Sequence, residues 1–155
     1  MKYGRMSCQI DFQDFNDDLK PDLVQLPLSL FDRRFVLTKK IKELHSMGIK
    51  IHVRSIFMRG LLLADYKKIP RKLNNFKSYL AKLTKWCNQN KTTKLQATVN
   101  YIKTVKNIDA VVIGVDNTDQ LSKIILAFKN SSTKFPKNIN LKIPKKYLDI
   151  RKWKI

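Results

Sequence analysis

A phosphate-binding turn is the clearest chemistry that the residue types of this chain predict. The run Ile108–Val115 is apolar apart from Asp109 and rich in β-branched residues, which is typical of a parallel strand buried on both faces. Gly114 permits the close approach of another group, and Asn117 is a favourable N-cap with Gln120 three residues later, as in a capping box. Free amides and the helix dipole at such a helix start favour an anion. The signal is generic, because any strand–helix unit offers it.

Two other segments, the run 23–26 and the loop 54–60, are candidates for contact with a ligand. Gln25 is the one polar residue in the apolar run 23–26, and an unpaired buried amide costs about 1–3 kcal/mol. Its residue type alone favours a structural hydrogen bond over a ligand contact. The loop 54–60 follows an alternating strand at 49–54, and loops after the carboxyl ends of parallel strands carry ligand sites. An ordinary buried strand with a structural loop explains that pattern equally well.

A strand–helix–strand crossover must position these residues. A strand at 23–26 ends at Pro27, a helix follows, and Gly48 suits the left-handed residue that ends it before strand 49–54. The helix is predicted from apolar residues at helical spacing: Leu37, Ile41, Leu44 and Met47. Pro70 is predicted to open a long helix with the apolar positions Leu73, Phe76, Leu80, Leu83 and Cys87, and a second helix carries Leu95, Val99, Ile102 and Val105. We predict an α/β fold with parallel strands at 23–26, 49–54 and 110–115, paired in that order.

Composition bounds the class of protein. The chain has 155 residues, enough for one domain, and its 43% apolar content favours a folded core. It contains no apolar run long enough to span a bilayer, and its first nine residues lack the apolar centre of a signal peptide, so we expect a cytoplasmic protein without a membrane partner. Cys8 and Cys87 have no neighbouring ligand at metal spacing, so we expect two reduced thiols, Cys87 packed, and no metal site.

Charge is the strongest bulk feature. The chain has 32 Lys and Arg residues against 12 Asp and Glu residues, a net charge of +20. Such a balance is compatible with a basic nucleic-acid-binding protein, which we keep as the alternative function. The lysines are spread along the chain, and a compositional bias of the source explains them as well. Non-specific polyanion binding is therefore expected at most.

Three stretches together resemble the aldo/keto reductase family: residues 22–34, 48–63 and 111–121. The terminal run 149–153 is similar to the tail of a bacterial subgroup. Members of that family are (β/α)8 barrels that reduce carbonyls with NADPH. The resemblance implies a partial (β/α)8 TIM barrel made of the last three to four βα units. It also implies a single domain over 1–155, with 1–19 as a divergent start and 131–155 as a C-terminal tail.

The resemblance assigns cofactor-binding roles. Gln25 matches the strand glutamine that bonds the nicotinamide amide. Arg54, followed by Ser55, stands where many members place an aromatic ring that stacks on the nicotinamide. The turn and helix start that take the adenosine phosphate correspond to Gly114, Val115, Asp116, Asn117 and Gln120. An acid at position 116 would repel a 2′-phosphate, so the cofactor is given as NADP or NAD.

No catalytic residue follows from the resemblance. The family's catalytic Asp, Tyr, Lys and His lie on the early strands, and no part of this sequence resembles those strands. The chain is therefore expected to be a truncated or split reductase that is inactive alone and binds the cofactor weakly or not at all. Its expected partner is a separately encoded N-terminal barrel half.

Overall fold

Three parallel strands form the centre of the fold. A computed structural model describes residues 21–130, 132, 134–137, 143–148 and 153. The strands are β1 (Leu23–Pro27), β2 (Lys50–Arg54) and β3 (Ala110–Val112), and they lie side by side in the order β1–β2–β3. Both pairs are parallel, which confirms the predicted α/β fold and its strand order. The predicted divergent start 1–19, Cys8 and most of the tail 131–155 lie outside the described residues.

The third strand is shorter than the sequence predicted. It ends at Val112, where the register places it beside Arg54 of β2, and residues 113–115 are not strand. The reason lies in β2, which itself ends at Arg54 because Ser55 turns to a left-handed conformation with φ 60°. Beyond that point β3 has no backbone to pair with among the described residues.

Helices follow each strand. The α-helices are α1 (Arg34–Leu37), α2 (Lys40–Ser46), α3 (Lys77–Gln89), α4 (Lys94–Thr104), α5 (Thr118–Lys129) and α6 (Lys145–Leu148). Two 3₁₀ helices cover Leu61–Leu63 and Arg71–Phe76. Within the described residues, no helix is long and apolar enough to cross a membrane.

The helix predicted between the first two strands is broken. Lys39 adopts a left-handed conformation with φ 58° and separates α1 from α2. Ile41 and Leu44 are buried as predicted, but Leu37 lies before the break and is 77% exposed. Its assignment to the buried stripe was therefore wrong. Gly48 ends the crossover in the predicted left-handed conformation, with φ 77°.

The long helix predicted from Pro70 begins as a 3₁₀ helix. Leu73 and Phe76 are buried at a spacing of three, which suits three residues per turn. The α-helix α3 starts only at Lys77 and buries Leu80, Leu83 and Cys87 at helical spacing. Cys87 is a free, buried thiol, as expected.

The two faces of the sheet differ in burial. Residues of one parity are buried: Val24, Leu26, Ile51 and Val53. Residues of the other parity are half-buried or exposed, and the register places them in two rows across the strands, Gln25–His52–Ala110 and Pro27–Arg54–Val112. The sheet therefore has a covered face and a more open face, and the polar residues of the strands are on the open one.

Part of the tail packs on the body. The rings of Tyr147 and Trp153 meet Phe76 edge-on, at centroid distances of 6.1 and 5.2 Å. The indole N–H of Trp153 donates to the Tyr147 carbonyl at 3.0 Å, and Leu148 is buried. These contacts fix α6 beside the start of α3.

Candidate functional site

The three strands end at one edge of the sheet. Because they are parallel, their carboxyl ends coincide, and the register aligns Pro27, Arg54 and Val112 in the last row. The Leu28 amide donates to the Arg54 carbonyl at 3.1 Å, so the pairing of β1 and β2 continues one residue further. The loops that follow the strands therefore begin next to one another, as in parallel α/β folds that bind ligands there.

Gln25 lies on the open face, one row before this edge. It is half-buried, and the register sets it opposite His52. Its side-chain amide makes no hydrogen bond to the described part of the chain, in contrast to the structural role that its residue type alone favoured. A half-buried amide without a protein partner is available to a ligand amide, because both groups donate and accept.

Arg54 and Ser55 begin the loop after β2. One guanidinium nitrogen of the half-buried Arg54 donates to the Ser55 hydroxyl at 3.3 Å. Ser55, Met58 and Arg59 have φ values of 60°, 50° and 53°, in the left-handed region that side chains disfavour. Such strain costs on the order of 1–3 kcal/mol per residue and persists where surrounding packing imposes it. Buried Met58 is part of that packing.

The helix start after β3 is capped by side chains. The side-chain oxygen of Asn117 accepts from the backbone amide of Gln120 at 2.9 Å, which confirms the predicted N-cap. The reciprocal bond is displaced by one residue, since the Gln120 side-chain oxygen accepts from the Asp116 amide at 3.1 Å. A reciprocal pair is thus present, but it closes on residue 116 instead of the cap residue.

Backbone amides of this turn remain for an anion. Those of Thr118 and Asp119, the first residues of α5, have no acceptor in the described part of the chain. They lie at the positive end of a 12-residue helix. Two carboxylates oppose an anion there: exposed Asp116, and Asp119, which is partly neutralised by Lys123 at 2.6 Å. The turn therefore suits a phosphate of low charge better than a dianionic group.

Gly114 leaves space at the same turn. A Cβ atom added to it would meet no atom of the described residues within 4 Å, and its φ lies outside the left-handed region. The described part of the fold therefore does not require glycine at this position.

A polar row on α4 holds the other end of α5, and sequence reasoning missed it. The Gln96 amide donates to the Ala127 carbonyl at 3.0 Å and to the Asn100 oxygen at 2.7 Å. Fully buried Asn100 donates to the Lys134 carbonyl at 2.6 Å and more weakly to the Ser132 hydroxyl. The Gln96 bond holds the carboxyl end of α5 on α4, and the Asn100 bonds hold the segment that follows α5. The available signal was the spacing of Gln96, Asn100 and Lys103 on one helix face.

Lys103 completes this row at the carboxyl end of α5. Its ammonium donates to the Phe128 carbonyl at 3.1 Å and also to the Asn130 carbonyl. A cation there opposes the negative end of the helix dipole and satisfies terminal carbonyls. Side chains of α4 therefore help to hold the carboxyl end of α5.

The groups whose pKa values are shifted take part in the packing of the fold. The Arg33 guanidinium lies 4.7 Å from the centre of the Tyr101 ring, and burial lowers the pKa of Arg33. Burial raises the pKa of Tyr101 to about 12. The Tyr101 hydroxyl is buried and has no hydrogen-bond partner in the described part of the chain. Within the same part, no cluster of three or more His, Cys, Asp or Glu residues could hold a metal ion.

Comparison with known proteins gives one family. The family model described as aldo/keto reductase family matches residues 11–139. This range contains β1 to α5 and every candidate cofactor residue from Gln25 to Gln120. Comparison with curated proteins gives no match.

Proposed function

The chain belongs to the aldo/keto reductase family, and we propose that it supplies the cofactor-binding part of an NAD(P)H-dependent carbonyl reductase. Aldo/keto reductases are TIM-barrel oxidoreductases that generally use NAD(P)H. The finer proposal is that this chain contributes the last three to four βα units of such a barrel and acts in the cytoplasm, where the cofactor is available. The match over residues 11–139 and the strand order support it.

One observation carries the proposal: the candidate residues gather at one end of a parallel sheet. Gln25, with an amide unpaired within the described chain, would bond the nicotinamide carboxamide. The start of α5 would hold the adenosine phosphate through the Thr118 and Asp119 amides. Arg54 would border the nicotinamide pocket, with Ser55 beside it. The bound cofactor would supply a hydride, and the residues of this chain would bind and orient the cofactor.

The carbonyl also needs a proton donor, and no residue of this chain is assigned that role. We propose that a separately encoded N-terminal barrel half supplies it. The open edge of β3 supports this proposal, because β3 pairs with β2 on one side and no described strand lies on its other side. An open edge of a parallel strand accepts another strand.

The surface next to this edge is apolar. An open groove between β3 and α5 is lined mainly by Ile108, Val111, Ile113, Ile124, Ile125 and Phe128. Val112, Ile125 and Leu126 are 41%, 45% and 69% exposed. A strand beside β3 and a helix beside α5 would cover these side chains together. The groove therefore supports a βα unit of the partner as its occupant.

Cofactor binding tests the site first. NADPH titrated into the isolated chain, followed by nicotinamide fluorescence, should bind on the order of millimolar or not measurably, because loops of an incomplete pocket must be ordered on binding. The same preparation should not oxidise NADPH with aldehydes. Micromolar binding that neither Gln25→Ala nor Gly114→Asp weakens would place the cofactor elsewhere.

Complementation tests the partner. Co-expression with a chain carrying strands one to five of a family barrel should yield a complex with NADPH affinity and reductase activity. Gly114→Asp should then weaken binding, whereas Gly114→Ala is the matched control for folding, since its Cβ meets open space. Ile125→Lys should abolish complex formation, and Lys123→Gln on the same helix should not. A complex that tolerates Ile125→Lys would refute docking at α5.

A further inference from the structure

Acidic residues are absent from one long segment of this basic chain. None of the 12 Asp and Glu residues lies at positions 66–108, where eleven of the 32 Lys and Arg residues lie. A compositional bias toward lysine raises lysine content everywhere, but it does not remove acids from one segment. More than half of the net charge of +20 is therefore concentrated in less than a third of the chain.

Helix α3 presents part of this charge on one face. Lys77, Lys82 and Lys85 are all exposed and, at 100° per residue, lie within an arc of about 140°. We call these three residues the lysine face. Its exposed neighbours on the same arc are uncharged: Ser78, Asn88 and Gln89. The ion pairs of the described structure all lie outside this helix, so the three charges are not neutralised within it.

The turn and the 3₁₀ helix that precede α3 in the chain carry further positive charge. Lys67, Lys68 and Arg71 are exposed there. Lysine and arginine side chains bind nucleic-acid phosphates and release the counterions that the phosphates hold. We propose that the lysine face together with Lys67, Lys68 and Arg71 forms a surface that binds the phosphate backbone of nucleic acid. This surface is separate from the proposed cofactor site and does not depend on reductase function.

Side chains around the lysine face favour backbone contact over base recognition or membrane insertion. Trp86 is half-buried on α3, so it does not offer a free ring on which a base could stack. No described large hydrophobic residue between Leu63 and Val112 is exposed. An interfacial membrane helix presents bulky apolar side chains to the lipid. The expected ligand is therefore nucleic acid bound without sequence preference.

Salt dependence tests this surface on the full chain. Fluorescence anisotropy with a labelled duplex of about 20 base pairs should show affinity falling about a thousandfold between about 50 and about 200 mM NaCl, if six phosphates are contacted. The triple variant Lys77→Gln, Lys82→Gln, Lys85→Gln should fall only about fortyfold over that range, because three contacts remain. Glutamine keeps helix propensity, so far-ultraviolet circular dichroism should be unchanged.

The matched control removes the same charge elsewhere. Lys39, Lys42 and Lys129 are exposed and outside the acid-free segment, and their triple change to glutamine should keep the parental salt dependence. Equal losses in both triple variants would show that net charge alone binds DNA and would overturn the proposal. Stronger binding to phosphatidylserine-containing vesicles than to the duplex, dependent on the lysine face, would assign the surface to membranes.

Discussion

Asn100→Ala should destabilise the fold strongly, because it removes a fully buried side-chain amide that links α4 to the segment after α5. Asn100 accepts from Gln96 at 2.7 Å and donates to the Lys134 carbonyl at 2.6 Å. Each such bond contributes about 1 kcal/mol, and a buried group left without a partner costs about 1–3 kcal/mol. Gln96 keeps its bond to Ala127, and the carbonyl of exposed Lys134 can reach water. We therefore expect a loss of about 2–3 kcal/mol.

Urea unfolding followed by circular dichroism measures this loss. With a slope of about 2 kcal/mol per molar urea, the unfolding midpoint should fall by about 1 M or more. Asn90→Ala is the matched control: exposed Asn90 donates to the Trp86 carbonyl at 2.8 Å, and its removal should cost about 0.5 kcal/mol or less. If the two variants had the same midpoint, the bonds of Asn100 to Gln96 and to the segment after α5 would not stabilise the fold, and the role assigned to Asn100 would be wrong.

Three further predictions concern the cap, pH and cofactor choice. Asn117→Ala should lower the free energy of unfolding by about 1 kcal/mol, because the Gln120 amide loses its acceptor; urea unfolding measures it. The pKa of Tyr101 is raised to about 12, so its contribution to stability should be complete below pH 10 and lost as pH rises toward 12. Tyr101→Phe should remove that part of the pH dependence and cost little stability at neutral pH; a large loss at pH 7 would reveal a hydroxyl partner. In the complemented reductase, Asp116→Ser should raise NADPH affinity relative to NADH, and an unchanged ratio would place the 2′-phosphate elsewhere.

Local patterns in the sequence determined the strands, their order and the cap of α5. Alternating and continuous apolar runs fix which residues a strand can bury, and the crossover length favours a parallel pair. The side chain of Asn117 reaches an amide only three residues away, so its role is readable from spacing. Gly48 adopts its left-handed conformation for an equally local reason.

Only the tertiary structure decided where these elements stop and how α5 is held. The break at Lys39, a residue that disfavours φ 58°, is not coded by an apolar pattern, and β3 ends where its neighbour turns away. Gln96 meets Ala127 31 residues later, and Asn100 meets Lys134 34 residues later. The spacing of apolar residues does not reveal hydrogen-bond partners so far apart in the chain, because tertiary packing determines which groups meet. The position of Gln25 beside His52 on the open face likewise follows from the register between β1 and β2, which is set only when the strands pair.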